Sequence, residues 1–172
     1  MKETQRSNRY HIGIFGRRNV GKSTLLNALT GQDVSIVSDV AGTTTDTVWK
    51  NIELPGIGAA VIGDTAGFDD IGELGGMRNE RTKRAAQQVD MALILVSGKP
   101  DDATYEIEWH DFFKNADIPV VLVMTKCDSE DNENLALWNQ ILRHELCCVS
   151  AKEGRGLDIL LGKMAALYKN DD

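Results

Sequence analysis

The sequence predicts an α/β fold: a doubly wound, mostly parallel six-stranded sheet with one antiparallel edge strand and helices on both faces. Three observations predict it. A glycine-bounded loop, Gly16 to Gly21, separates the apolar run His11-Ile12-Gly13-Ile14-Phe15 from a helix-like segment, Thr24 to Thr30. Further apolar runs of strand length alternate with longer amphipathic stretches. One of them, Val120-Val121-Leu122-Val123-Met124 after Pro119, is continuously apolar, as a strand covered on both faces of a parallel sheet must be.

Taken in order, residues 1–9 are polar and expected to form a flexible tail, with one domain over 10–170. After the first strand and loop, the helix ends at Gly31, a C-cap glycine. Gln32 to Asp46 is polar and reads as a loop whose length marks it as functional. Thr47 to Leu54 alternates with period two, predicting a half-exposed edge strand. Pro55-Gly56 turns the chain into a buried strand at Ala59–Gly63, so the pair forms an antiparallel hairpin. Asp64 to Met77 is rich in glycine and acid and reads as a loop. Helices are expected near 79–88, 103–115, 134–143 and 156–169, and strands over 91–96, 119–124 and 146–149. Trp109, Phe112, Phe113, Trp138, Ile141 and Leu142 are expected to pack the helices. Cys147 and Cys148, adjacent in a strand, point to opposite faces. The cluster Arg78, Arg81, Lys83 and Arg84 reads as a solvated helix face.

Composition narrows the function classes. At 172 residues, 42% apolar and 26% charged, the chain can bury a full core. A net charge of −7 speaks against nonspecific nucleic-acid binding, which needs a basic surface. No apolar run reaches the length of a membrane span and the N-terminus has no signal-peptide core, so a cytoplasmic protein is expected. Cys127, Cys147 and Cys148 fit neither a disulfide framework nor a C-x-x-C metal spacing, and read as reduced thiols. His11, His110 and His144 share no ligand spacing.

The chemistry lies in the loops. Gly16-Arg17-Arg18-Asn19-Val20-Gly21-Lys22-Ser23 is G-x-x-x-x-G-K-S in its required setting of strand, loop and helix, the signature of a P-loop NTPase. Glycines let the backbone wrap closely around phosphate oxygens. The N–H groups from Arg18, Asn19, Val20 and Gly21 into Lys22, Ser23 and Thr24 then face inward as an anion nest. Lys22 reaches toward the β- and γ-phosphates, and the Ser23 hydroxyl suits Mg²⁺. Asp64, ending the next buried strand, is placed to hold Mg²⁺ through water, and Gly67 of Asp64-Thr65-Ala66-Gly67 can offer its N–H to the γ-phosphate. In Thr125-Lys126-Cys127-Asp128, the Asp128 carboxylate accepts the N1–H and amine protons of guanine, which adenine lacks. Such a site rejects the wrong base by about 10⁴–10⁵. Lys126 lays its stem along the base. Ala151 offers its N–H to the guanine oxygen, with Ser150 and Lys152 shaping that loop. Arg17, inside the phosphate loop, faces solvent, a partner or phosphate.

These motifs resemble the Era and TrmE groups of GTP-binding proteins, which implies a Ras-like G domain. More narrowly, Val37 to Asp46 and Asp64 to Gly75 look like the GTPase domain of HydF, the scaffold GTPase of [FeFe]-hydrogenase maturation. The resemblance implies that Thr44, flanked by Thr43 and Thr45, meets Mg²⁺ and γ-phosphate. It also implies that Asn19 helps to hold a K⁺ ion and that Lys22, Thr44 and Gly67 serve catalysis. Hydrogenase maturation proteins and hydrogenase would be partners of the full-length protein, which can dimerise; no membrane is involved. Its iron–sulfur motif has no counterpart here, so the chain is expected to be an excised domain without a cluster. Two departures stand out. Phe68 follows Gly67 where Ras-like enzymes carry a glutamine, so slow intrinsic hydrolysis is expected; Asp69, Asp70 and Glu73 read as a solvated acidic loop. Thr125 replaces the usual asparagine, so fewer links to the phosphate loop and weaker nucleotide affinity are expected. The resulting expectation is slow, Mg²⁺-dependent, K⁺-stimulated GTP hydrolysis. The alternatives are a nucleotide-sensing partner-binding module with negligible turnover, and an Era- or TrmE-like GTPase in ribosome assembly or tRNA modification.

Overall fold

The computed structural model describes residues 9–17, 20–30, 35–39, 48–64, 80–127 and 132–171. In chain order the elements are β1 (Tyr10–Phe15), α1 (Lys22–Thr30), β2 (Ser35–Asp39), β3 (Val48–Leu54), β4 (Gly58–Asp64) and α2 (Glu80–Ala86). They continue as β5 (Met91–Val96), α3 (Thr104–Asn115), β6 (Val120–Met124), α4 (Asn132–Leu142), β7 (Cys147–Cys148) and α5 (Leu157–Asp171).

The strands form one sheet in the order β2-β3-β4-β1-β5-β6-β7. β1 lies parallel to β4 and β5, β5 to β6, and β6 to β7. β3 runs against both β4 and β2 and is the reversed strand. The mostly parallel sheet with one antiparallel strand is therefore as expected, but that strand is not the edge. β2 covers it, from within the stretch Gln32 to Asp46 that the sequence presents as loop. Ser35-Ile36-Val37-Ser38-Asp39 carries two apolar residues and little strand pattern. Its extended state comes from pairing with β3, a long-range partner that no local signal encodes. The hairpin at Pro55-Gly56 is present, closed by the Ile57 N–H on the Leu54 carbonyl at 3.1 Å.

Alternation along the strands divides the core between the two faces of the sheet. Ile12, Ile14, Ile62, Leu93 and Val123 pack with Leu25 and Leu29 of α1 and Leu160 and Met164 of α5. Phe15, Val61, Ile94, Leu122 and Met124 pack with Ala85 and Ala86 of α2, Trp109 and Phe113 of α3, and Trp138 and Leu142 of α4. Ile141, expected in this packing, is 38% exposed, because it faces outward on α4. Cys147 enters the first core while Cys148 packs at the margin of the second, as their adjacency in a strand requires. Lys83 and Arg84 are exposed on α2. Among the described residues, no helix is long and apolar enough to cross a membrane.

Candidate nucleotide-binding site

The parallel strands bring the chemistry-bearing loops to one edge of the sheet. Ile14 is in register with Asp64, Phe15 with Ile94, Val96 with Met124, and Met124 with Cys148, so these carboxyl ends are neighbours. β1 sits in the middle of the sheet: the chain goes first to the edge strand β2 and works back through β3 to β4 beside β1, then builds outward on the other side through β5, β6 and β7. The loop after β1 thus lies where doubly wound sheets bind ligands. Arg18, Asn19, Thr44, Gly67, Asp128 and Phe68 lie outside the described residues, as do the acidic loop and the Asp64 side chain.

The phosphate loop is shaped by close contacts. Gly21 has φ 107°, a left-handed conformation that glycine adopts without strain. A Cβ on Gly16 would stand 2.7 Å from Val20 Cγ1 and 3.3 Å from the Leu95 carbonyl oxygen, so only glycine lets the loop leave β1 here. Lys22 is buried, and its ammonium donates to the carbonyls of Gly16 at 2.9 Å and Arg17 at 3.0 Å. This holds its charge within the ring of the loop. Ser23 and Thr24 are exposed on the first turn of α1, which carries no acidic residue. That helix end keeps its positive potential for an anion. Among the described residues, the exposed Ser23 offers a hydroxyl oxygen on this turn, the donor chemistry that Mg²⁺ takes, and so fits that ion.

Thr125 ties the phosphate loop to the loop after β6. Its hydroxyl donates to the Val20 carbonyl at 2.5 Å, with the Val96 carbonyl at 3.3 Å, from a position 5% exposed. The threonine side chain thus links the loop after β6 to a backbone carbonyl of the phosphate loop. Lys126 follows with φ 57°, and its stem passes over the loop: a Cβ on Gly21 would lie 3.8 Å from Lys126 Cε.

The loop after β7 closes on itself. Ser150 and Arg155 exchange backbone hydrogen bonds of 2.9 and 3.0 Å, and the Glu153 N–H reaches Ser150 Oγ at 3.3 Å. Cys127 N–H donates to the Val149 carbonyl at 3.1 Å and the Arg155 guanidinium to the Cys127 carbonyl at 3.4 Å, which binds this loop to the preceding one. Gly156 makes the return possible. Its φ is 81° and a Cβ there would collide with the Cys148 carbonyl.

Gly21 and Thr24, Thr125 and Lys126, and Ser150, Ala151 and Lys152 line a single cavity of about 440 Å³. Three motifs far apart in the sequence, at 21–24, 125–126 and 150–152, thus share one concave site, large enough for a purine nucleoside. Leu25, Cys127 and Glu153 also line it, and none was anticipated. Their apolar or loop-bound character gave no chemical signal.

Arg17 resolves differently from the alternatives its sequence position left open. Its Nε and Nη2 donate to the Glu106 carboxylate at 2.8 and 3.2 Å, and Nη2 donates to the Asp102 carbonyl at 2.6 Å. Burial lowers the Arg17 pKa, but hydrogen bonding and the charge of Glu106 outweigh it, and the net shift is upward. Asp102 is held below its usual range by the hydrogen bond from the Thr104 hydroxyl, with the Thr104 N–H adding to it.

Comparison with known proteins agrees with this geometry. Residues 11–126 match the family described as 50S ribosome-binding GTPase. The chain is 34% identical over 169 residues to GTPase Der of Wolinella succinogenes, covering 92% of this chain and 36% of that protein. It therefore spans about a third of the length of this curated relative. Among solved structures, Era from Aquifex aeolicus bound to GDP·AlF4⁻ superposes with a TM-score of 0.65 at 29% identity, covering 91% of this chain and 56% of that one. Elongation factor SelB from Methanococcus maripaludis, in complex with a GTP analogue, reaches 0.72 at 24% identity over 95% of this chain and 34% of its own, a likeness of fold. With its P-loop fold, its converging loops and a family match over most of its length, the chain belongs to the 50S ribosome-binding GTPase family, as a GTPase domain of the Era and Der type.

Proposed function

We propose that this chain is a GTP-driven switch in which nucleotide hydrolysis is reported by the loops around the site. The observation that carries this is the shared cavity: the phosphate loop, the Thr125-Lys126 loop and the Ser150-Ala151-Lys152 loop face one space. In this reading Lys22, Mg²⁺ held with Ser23 and Asp64, and the amides from Arg18 to Thr24 take the triphosphate. Asp128, Lys126 and Ala151 take guanine, while Thr44 and Gly67 bind the γ-phosphate and release it on hydrolysis. With no glutamine after Gly67, turnover is slow, and K⁺ held near Asn19 supplies the missing positive charge.

The expected results are specific. Lys22→Met lowers the single-turnover rate by about 10²–10³, the scale of removing one charge-stabilising donor. Asp128→Asn abolishes the preference for GTP over ATP in calorimetry, and K⁺ exceeds Na⁺ in supporting turnover. Equal uptake of ATP and GTP by the parent chain would overturn the base assignment. Equal, negligible rates in both salts would leave a pure nucleotide sensor.

Two readings of the biological role follow. The resemblance of Val37–Asp46 and Asp64–Gly75 to HydF supports service in [FeFe]-hydrogenase maturation as part of a longer protein. The family match and the likeness to Der and Era support a role in ribosome assembly, and the comparisons weigh on that side. Capture of hydrogenase maturation proteins by the GTP-loaded full-length protein, against capture of large-subunit ribosomal RNA, decides between them.

A further inference from the structure

We propose that Arg17 is a positioning residue of the phosphate loop: its side chain is a strut to helix α3, anchored on Glu106, and it sets loop geometry without touching phosphate. The inference rests on the loop being the nucleotide site.

Two of the three guanidinium nitrogens, Nε and Nη2, are engaged. Glu106 lies 89 positions away and is 2% exposed, and both of its oxygens take protons from the Arg17 fork, at 2.8 and 3.2 Å. The same guanidinium donates to the Asp102 carbonyl at 2.6 Å and stands 4.4 Å from the centre of the Tyr105 ring. A planar fork against a carboxylate, stacked on an aromatic face, is an arrangement lysine cannot reproduce. To reach a phosphate, Arg17 would have to abandon a carboxylate that is itself out of contact with water, and such a charge is costly to leave unpaired.

The anchor is also firm. Asp102 Oδ1 accepts the Thr104 N–H at 3.1 Å and hydroxyl at 2.6 Å, which fixes the first turn of α3. Meanwhile the backbone carbonyl of Arg17 accepts from Lys22 Nζ at 3.0 Å and from the Val20 N–H at 3.1 Å. One residue therefore meets α3 through its side chain and the phosphate-loop lysine through its main chain. A shift of its side chain moves an acceptor of Lys22.

The test compares Glu106→Gln, Arg17→Lys and the paired variant Arg17→Met with Glu106→Leu, which removes both charges at similar volume and so avoids a stranded buried ion. Affinities for GDP and a non-hydrolysable GTP analogue are measured alongside single-turnover hydrolysis and thermal unfolding. Glu106→Gln, altering a group on α3 alone, is expected to weaken both nucleotides by one common factor of about tenfold, below the roughly hundredfold cost of an ångström of misplacement. Arg17→Lys is expected to match it, and the paired variant to lose no more than the worse single change. The ratio of GDP to GTP affinity stays at the parent value. The proposal is overturned if Glu106→Gln binds as the parent does, if the losses add in the paired variant, or if Arg17→Lys weakens GTP selectively, which marks a direct γ-phosphate contact. It is overturned equally if the folded paired variant binds like the parent. A parent chain that takes up neither nucleotide removes the nucleotide reading itself, and the strut with it.

Discussion

The two loops that face each other across the cavity are stabilised in opposite ways. The loop from Ser150 to Arg155 is closed by its own backbone, with paired hydrogen bonds between its first and last residues. The phosphate loop is braced from outside. Thr125 holds its Val20 carbonyl from 105 positions away, and Glu106 holds Arg17 from 89. Under the function proposed above, the difference follows from their tasks. A loop that offers one N–H to a flat base needs only to keep its own shape. A loop that must set several amides and a lysine around a charged group has its dipoles pointing inward, and its outward carbonyls and side chains need partners elsewhere. Damage to the self-closed loop should therefore be local and steric, and damage to the braced loop should be transmitted from distant positions.

Two substitutions probe that contrast, and a third, remote from both loops, is set against them. The largest effect is expected at Gly156→Ala. The methyl group meets the Cys148 carbonyl at a backbone angle of 81°, and lies 3.1 Å from Val149 Cα. Strain and overpacking together cost about 2–5 kcal/mol. Urea unfolding should show that loss, and guanine-nucleotide affinity should fall while the Lys22 contacts persist. Thr125→Val comes next. It removes the donor to a buried carbonyl at nearly constant volume, costing about 1–3 kcal/mol. Release of a fluorescent GDP should accelerate; an unchanged release rate would mean that the phosphate loop does not depend on this brace.

The smallest effect lies away from both loops, between α3 and α4. His110 is partly buried beside His144, with ring centres 6.3 Å apart. Burial is the main cause that holds its pKa below 6.5; the positive character of His144 and Lys114 adds to it and Asp111 opposes it. The unfolded chain thus binds this proton more readily than the folded one. Stability rises with pH between the folded pKa and about 6.5 and is lost as pH falls through that window. His110→Asn should flatten the slope below pH 6.5 in denaturant titrations and leave nucleotide affinity unchanged at pH 8. A slope identical to the parent would show that His110 carries no such linkage.

Much of the site was legible because its chemistry is written in contiguous residues. Gly16, Gly21 and Lys22 announce a phosphate loop at fixed spacing, and the apolar runs around them place it after a buried strand. Thr125-Lys126 and Ser150-Ala151-Lys152 gain meaning from their order along the chain, and the fold brings them into one cavity as that order implies. β2 was missed because its residues take strand form from the edge of β3 rather than from their own pattern. Glu106 was invisible for a similar reason. An acid in the first turn of an amphipathic helix is ordinarily solvated, and only the packing of α3 beside the loop turns it into the partner of Arg17.

What the amino-acid order determined by itself was the set of chemical groups and the alternation that builds a parallel sheet, because glycine conformation, side-chain charge and hydrophobic period are local properties. The tertiary structure alone decided which groups brace which. Thr125 became a hydrogen-bond donor to the phosphate loop, Arg17 a tie to α3, and Gly156 a point of close approach, because each depends on a partner that sequence distance does not reveal and strand register does.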